Sequence, residues 1–226
     1  MITFGLTGNI AMGKSTVTKT FLSHNIPMVD ADLVARQVVK PGTYGLALIK
    51  KHFGLEYLQE DGTLDRAKLG ALVFADPVAR RSLDNIMLPL ITTEANFQLQ
   101  KLHSEGHYIV GYDAALICEM GQADNFRPLI VVQCLPEIQL ERLMNRNNLT
   151  QAEAMNRIES QMPVDKKVAM ADYVIDTSTT KDVSISQTEI IAYNLKVKMW
   201  QEKLDKDEVD VSQVPLPWRN NVQLST

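Results

Sequence analysis

Residues 8–15 read Gly-Asn-Ile-Ala-Met-Gly-Lys-Ser, two glycines five apart with a lysine and a hydroxyl directly after the second. Gly8 and Gly13 let the backbone turn tightly, so that successive N–H groups converge on one point. Lys14 adds a positive charge beside that point, and Ser15 adds a hydroxyl able to ligate a hard divalent cation. This is the spacing G-x-x-x-x-G-K-[ST], which cradles the phosphates of a nucleoside triphosphate carrying Mg²⁺. Gly8, Asn9, Ala11, Met12, Gly13, Lys14, Ser15 and Thr16 are therefore the expected contacts to the nucleoside triphosphate, with Ser15 also on the metal. Background residue frequencies give about a 1% chance of one accidental match in a chain of this size.

Three further groups could act on a bound phosphate. Asp30 and Asp32 follow the apolar run Ile26-Pro27-Met28-Val29, and in an extended segment two residues apart they point the same way. One could act on an attacking hydroxyl while the other, Asp30, orients Mg²⁺ or its water shell. Helix capping is the equal alternative, since Asp is favoured at helix starts. Arg142 and Arg146 lie four apart and share one helical face, with Arg157 beyond them. They could neutralise a transferring phosphoryl group, or form a solvated face with Glu141, Glu153 and Glu159.

These groups need elements to hold them. Ile2 to Leu6, Ile26 to Val29, Tyr108 to Tyr112, Leu129 to Val132 and Tyr173 to Ile175 are short apolar runs, and Asp30, Asp113 and Asp176 follow three of them. Continuous runs with helical segments between them predict an α/β fold with a five-stranded parallel sheet covered on both faces. Carboxylates at strand ends then lie at the carboxyl edge, where open α/β sheets bind ligands. The division predicted is one domain over 1–204, with core segments 1–32, 108–141 and 171–204. A helical acceptor-binding insertion occupies 33–107 and an arginine-bearing lid 142–170. The polar tail, 205–226, is expected to be loosely docked or disordered.

Bulk properties narrow the class. The chain has 226 residues, 45% hydrophobic and 22% charged, as in an ordinary globular protein. A formal net charge of −4 argues against a general nucleic-acid binder. No apolar stretch approaches the roughly 20 residues that span a bilayer, and the N-terminus lacks the regions of a signal peptide. Cys118 and Cys134 show neither metal-ligand nor disulfide spacing and read as small buried residues in a reducing compartment, so the expected location is cytoplasmic. No guanine-recognition Asn-Lys-x-Asp occurs.

The chain resembles the dephospho-coenzyme A kinase family over roughly residues 1–200. The resemblance rests on Gly5-Leu6-Thr7-Gly8 running into Gly13-Lys14-Ser15-Thr16, on Val29 to Arg36 (Val-Asp-Ala-Asp-Leu-Val-Ala-Arg), and on Asp61-Gly62-Thr63-Leu64-Asp65-Arg66. Val73-Phe74-Ala75-Asp76, Gln139-Leu140-Glu141-Arg142-Leu143, Gln161-Met162-Pro163 and Ala171 to Asp176 continue it. It implies a nucleotide-monophosphate-kinase-like core and transfer of the ATP γ-phosphoryl group to the ribose 3′-hydroxyl of dephospho-coenzyme A. It implies that Lys14, Asp32 and Arg142 are catalytic and that Arg146 and the loop after Asp176 contact ATP. It also implies that Asp32, Arg36, Leu88 and Asp113 face the acceptor. Leu88 stands where the family carries histidine, Ala115 where it carries proline, and Asn9, Ala11 and Met12 depart from its usual loop. The alternatives are a kinase of the same fold for another nucleotide or nucleoside, and a nucleotide- or coenzyme-A-binding homologue without turnover.

Overall fold

The computed structural model describes residues 1–223. Five strands, β1 (Ile2–Thr7), β2 (Met28–Asp30), β3 (Ile109–Asp113), β4 (Leu129–Gln133) and β5 (Tyr173–Asp176), form one sheet in the order β2-β3-β1-β4-β5. Each strand falls on one of the five apolar runs, and the fold is the expected α/β class. β1 pairs in parallel with β3, Leu6 opposite Asp113, and with β4, Thr7 opposite Val131. This register brings the carboxyl ends of the three central strands level.

The helices are α1 (Lys14–Ser23), α2 (Ala31–Gln37), α3 (Tyr44–Phe53), α4 (Arg66–Ala75), α5 (Pro77–Ser104), α6 (Pro136–Asn147), α7 (Gln151–Glu159), α8 (Val164–Val168), α9 (Lys181–Asp205) and α10 (Leu216–Arg219). Among the described residues, no helix is long and apolar enough to cross a membrane. The chain divides into two compact units, residues 1–28 with 102–226, and residues 29–101.

In the first unit, α1 and α9 pack together over the sheet. Phe4 of β1 meets Phe21 of α1 with ring centroids 4.8 Å apart, inside a cluster that includes Leu6, Val17, Ile130, Ile175 and Leu195. Each such fully buried side chain contributes roughly 1.5–3 kcal/mol, which anchors the base of α1 and hence the turn before it. The interval after β4 is three helices. α6 ends where Asn148 adopts a left-handed conformation, φ 51°, one that Asn tolerates better than most residues. α7 starts on a capping box, Thr150 with Glu153, and α8 follows Pro163.

The tail does not match the loose segment expected from its composition. Val214 is fully buried, Tyr193 Oη donates to the Pro217 carbonyl at 2.6 Å, and Lys196 Nζ lies 5.6 Å from the Trp218 ring centroid. A few apolar anchors among polar neighbours suffice to dock residues 206–223 on α9. Residues 224–226 lie outside the described residues.

The second unit has its own small core, Val39, Ile49 and Leu69 with Phe53, Leu83 and Ile86 packed against them. Its helices are started by side chains: Asp30 caps α2, Thr43 caps α3 and Asp65 caps α4. Each such cap stabilises its helix by about 1 kcal/mol.

Candidate active site

The phosphate loop lies between the carboxyl end of β1 and the first turn of α1. Gly8 packs so closely on β4 that a Cβ there would sit 2.7 Å from the Val132 carbonyl oxygen. Gly13 takes φ +85° and forms the N-cap of α1, while Ala11 is also left-handed at φ 63°. Gly13 offers no side-chain cap, and in the first turn of α1 the Thr16 N–H donates back to the Gly13 carbonyl at 3.0 Å, leaving the helix start without a capping side chain. An anion is the natural complement to such an end.

Lys14, the first residue of α1, reaches the carboxylate of Asp113 at the end of β3, a pairing set by the β1–β3 register. The other Asp113 oxygen accepts from Thr18 Oγ1 at 2.8 Å, one helical turn beyond Lys14. Asp113 is 6% exposed, and a carboxylate so buried needs such partners. The structure thus places Asp113 on the lysine of the phosphate loop, where resemblance had implied a contact with the acceptor. Ser15 is exposed in the same turn.

Arg142 of α6 is held at both terminal guanidinium nitrogens. Nη1 donates to Thr177 Oγ1 at 2.9 Å and Nη2 to the Thr177 carbonyl at 2.7 Å. Thr177 Oγ1 donates in turn to the Met12 carbonyl at 2.9 Å. Arg142, the loop after β5 and the phosphate loop therefore form one chain of bonds. A cleft of about 240 Å³ opens there, lined by Gly13, Thr16, Arg142, Thr177, Thr179, Lys181 and Ser184. Cys134 lies buried nearby, and burial pushes its thiol pKa up. It therefore stays a neutral, inert thiol, as expected of a structural cysteine. Cys118 is also free and buried.

Other expected residues lie elsewhere. Arg146 is exposed and donates to Asn147 Oδ1 at 2.9 Å. Asp176 is exposed and accepts from the Ser178 N–H at 2.7 Å, so its carboxylate shapes the local turn. In the second unit, Asp30 Oδ1 accepts from the N–H groups of Asp32 and Leu33 at 2.8 and 3.0 Å. Capping is thus what the structure gives Asp30. Asp32 lies inside the first turn of α2, so strand alternation does not align it with Asp30; the extended segment ends two residues too early. Asp32 and Arg36 are exposed on α2, and Leu88 is half-buried on α5.

Several participants carry no obvious chemical signature in the sequence. Thr177 is one. Lys167 is another: fully buried, it pairs with Glu119 Oε1 at 2.7 Å and donates to the Ala115 carbonyl at 2.8 Å, which also accepts from Thr7 Oγ1. Of these two, only Thr177 had a hint, through the resemblance of the loop after Asp176.

The family model described as dephospho-CoA kinase matches residues 2–182. A dephospho-CoA kinase of Listeria innocua is 43% identical over 185 residues, 82% of this chain and 92% of that protein. One from Oryza sativa is 39% identical over 201 residues, 88% of this chain and 87% of that protein. Among solved structures, a Thermus thermophilus protein superposes with TM-score 0.73 at 27% identity, covering 84% of this chain and 96% of its own. A dephospho-CoA kinase from Campylobacter jejuni gives TM-score 0.65 at 27% identity, covering 85% and 96%. With the matched model running from the first strand through the start of α9, the chain belongs to the dephospho-CoA kinase family.

Proposed function

We infer that this chain phosphorylates the ribose 3′-hydroxyl of dephospho-coenzyme A with ATP, giving coenzyme A. The observation that carries the reading is the phosphate loop itself, a left-handed Gly13 feeding an uncapped α1 with Lys14 at its start. The family's own reaction supplies the acceptor. Phosphoryl transfer asks the protein mainly for positioning and charge stabilisation, and that loop is built for both.

Lys14 is held by Asp113 in the free chain. It meets the β- and γ-phosphates when ATP arrives, and Asp113 keeps the lysine aimed in the meantime. Arg142 stabilises charge on the transferring group from the far side of the cleft at Thr177. Arg146 and Asp176 are the more distant nucleotide contacts in this reading. Asp32 holds the acceptor hydroxyl in line, aided by Arg36 and the surface around Leu88. Its support is an exposed carboxylate at the start of α2, which a substrate can reach.

The oxygen donors at the loop suit Mg²⁺, which takes one or two protein oxygens and keeps its remaining places for water and phosphate. Ser15 would hold it through its exposed hydroxyl. The chemistry it would supply there is neutralisation of the charge that develops on the phosphoryl group. Asp30, occupied as a helix cap, is assigned to the fold. Cytoplasmic residence belongs to the same reading, because both thiols stay free and buried.

A coupled assay of ADP release, run with and without dephospho-coenzyme A, tests the proposal. Acceptor-dependent release with formation of coenzyme A is expected. Release that ignores the acceptor, or ATP binding with no turnover, would favour the other two readings.

A further inference from the structure

Two glutamines close on the backbone of one residue, Ile10, at the crest of the phosphate loop. Gln139, 3% exposed near the start of α6, donates from Nε2 to the Ile10 carbonyl at 2.9 Å. Gln161, just after α7, accepts from the Ile10 N–H at Oε1, 2.8 Å away. The next residue joins the same contact. The Met162 carbonyl accepts from Asn9 Nδ2 at 2.9 Å, and its N–H donates to Glu119 Oε1 at 3.3 Å. The arginine-bearing segment 140–160 thus leaves the core at one glutamine and returns at the other, with both gripping Ile10.

The pairing is matched in sense, a donor to the carbonyl and an acceptor to the N–H. It lies beside Ala11, a non-glycine residue at φ 63°, which persists only where the surroundings hold it. The Ile10 N–H is also withdrawn from the anion, so the loop's remaining N–H groups must be aimed correctly without it. We propose that Gln139 and Gln161 are positioning residues for the transfer reaction. They set the crest of the loop before ATP arrives and tie its shape to the pose of segment 140–160. A nest held in advance costs little reorganisation when the phosphates bind. The inference rests on ATP occupying this loop, as read above.

The opposite senses of the two bonds provide the test. Gln139→Met and Gln161→Met keep side-chain length and lose the bond. Each should raise the Kd for Mg-ATP, measured by calorimetry, about tenfold, the size expected for one buried bond to a peptide. Gln161→Glu retains an acceptor for the Ile10 N–H and should recover most of that loss. Gln139→Glu sets a carboxylate against the Ile10 carbonyl and should be worse than Gln139→Met. Both Glu variants add the same charge beside the same residue, one facing its N–H and the other its carbonyl, so their difference reports the sense of the bond. KM for dephospho-coenzyme A should stay within about twofold throughout, as expected for a loss confined to the nucleotide side. Equal behaviour of the two Glu variants would overturn the proposal, as would Met variants with unchanged Kd for Mg-ATP and only a lowered unfolding midpoint. A wild-type chain that fails to bind Mg-ATP would overturn the reading beneath it, and that result is separately visible.

Discussion

In residues 1–28 and 102–226, the candidate site is tied down before any ligand arrives. Lys14 is held by Asp113, Arg142 by the hydroxyl and carbonyl oxygens of Thr177, and Ile10 by two glutamines. In residues 29–101 the corresponding residues stand open. Asp32 and Arg36 are exposed on α2, and the unit leaves Leu33, Tyr44, Leu55, Phe74 and Phe97 more than half exposed around a small core. The contrast fits the two tasks proposed above. Stabilising phosphoryl charge needs dipoles and cations fixed in advance, because reorganisation at the moment of transfer is costly. Grasping a large acceptor needs reachable side chains whose final pose the ligand can set. Substitutions on the loop side should therefore damage chemistry or stability outright. Those on the acceptor side should damage turnover while leaving ATP affinity and the fold intact.

The largest expected effect is at Lys14. Lys14→Ala removes the cation of the loop and leaves Asp113 buried beside the phosphates without its counter-charge. Turnover should fall about 10³-fold or more, comparable to deleting a principal electrostatic contact in transfer. Steady-state kinetics at saturating Mg-ATP would measure it. A loss under about threefold, less than 1 kcal/mol in the barrier, would remove Lys14 from the mechanism and erase the contrast between the units.

Lys167 tests the same side through stability. Its ammonium is fully buried against Glu119 and the Ala115 carbonyl. Lys167→Met leaves Glu119 without that partner. Breaking a buried pair from one side costs about 3–5 kcal/mol, so the denaturation midpoint in urea should drop markedly at unchanged slope. A variant as stable as wild type would mean that water reaches Glu119 freely and that the loop side is less rigid than described.

Asp32→Asn probes the acceptor side. It keeps the shape of the side chain and removes its charge and proton-accepting capacity. We expect kcat to fall about 10²-fold, the loss typical of removed general-base or positioning help, with Kd for Mg-ATP within about twofold and stability unchanged. If the whole defect lay in ATP binding, Asp32 would belong with the phosphate loop. The two sides would then not divide the work as proposed.

The sequence was most readable where the signal is local. The phosphate loop is eight consecutive residues, and each strand of the sheet is an uninterrupted apolar run, so both could be placed without knowing any neighbour. The pairings that hold the site join residues far apart in the chain: Thr177 to Met12, Lys167 to Ala115, Gln161 to Ile10. No pattern of period two or 3.6 reports such partners. Asp113 was visible as a carboxylate at a strand end, but its partner depended on the β1–β3 register. The alignment expected of Asp30 and Asp32 failed differently, since the extended rule was carried two residues past the end of β2. The tail was misjudged because composition averages over Val214 and Trp218, the residues that fasten it.

Asp30 offers the smallest effect and the finest distinction. Its Oδ1 accepts from the N–H groups of Asp32 and Leu33 at the start of α2, which is a helix cap. A carboxylate in that position could also serve a metal-bound water through its second oxygen, and the two roles respond differently to substitution. Asparagine caps a helix as well as aspartate does, whereas alanine costs about 1 kcal/mol. Asp30→Asn should therefore leave the unfolding midpoint within error and kcat within about threefold, a barrier change under 1 kcal/mol. Asp30→Ala should lower stability by about 1 kcal/mol and disturb kcat only through the placement of Asp32, two residues along in the first turn of the helix that it caps. A tenfold or greater fall in kcat for the asparagine variant, relieved by raising Mg²⁺, would return Asp30 to the metal. Residues 29–101 would then contribute a fixed charge to the phosphate chemistry, and the contrast between a held loop side and an open acceptor side would have to be redrawn at this residue.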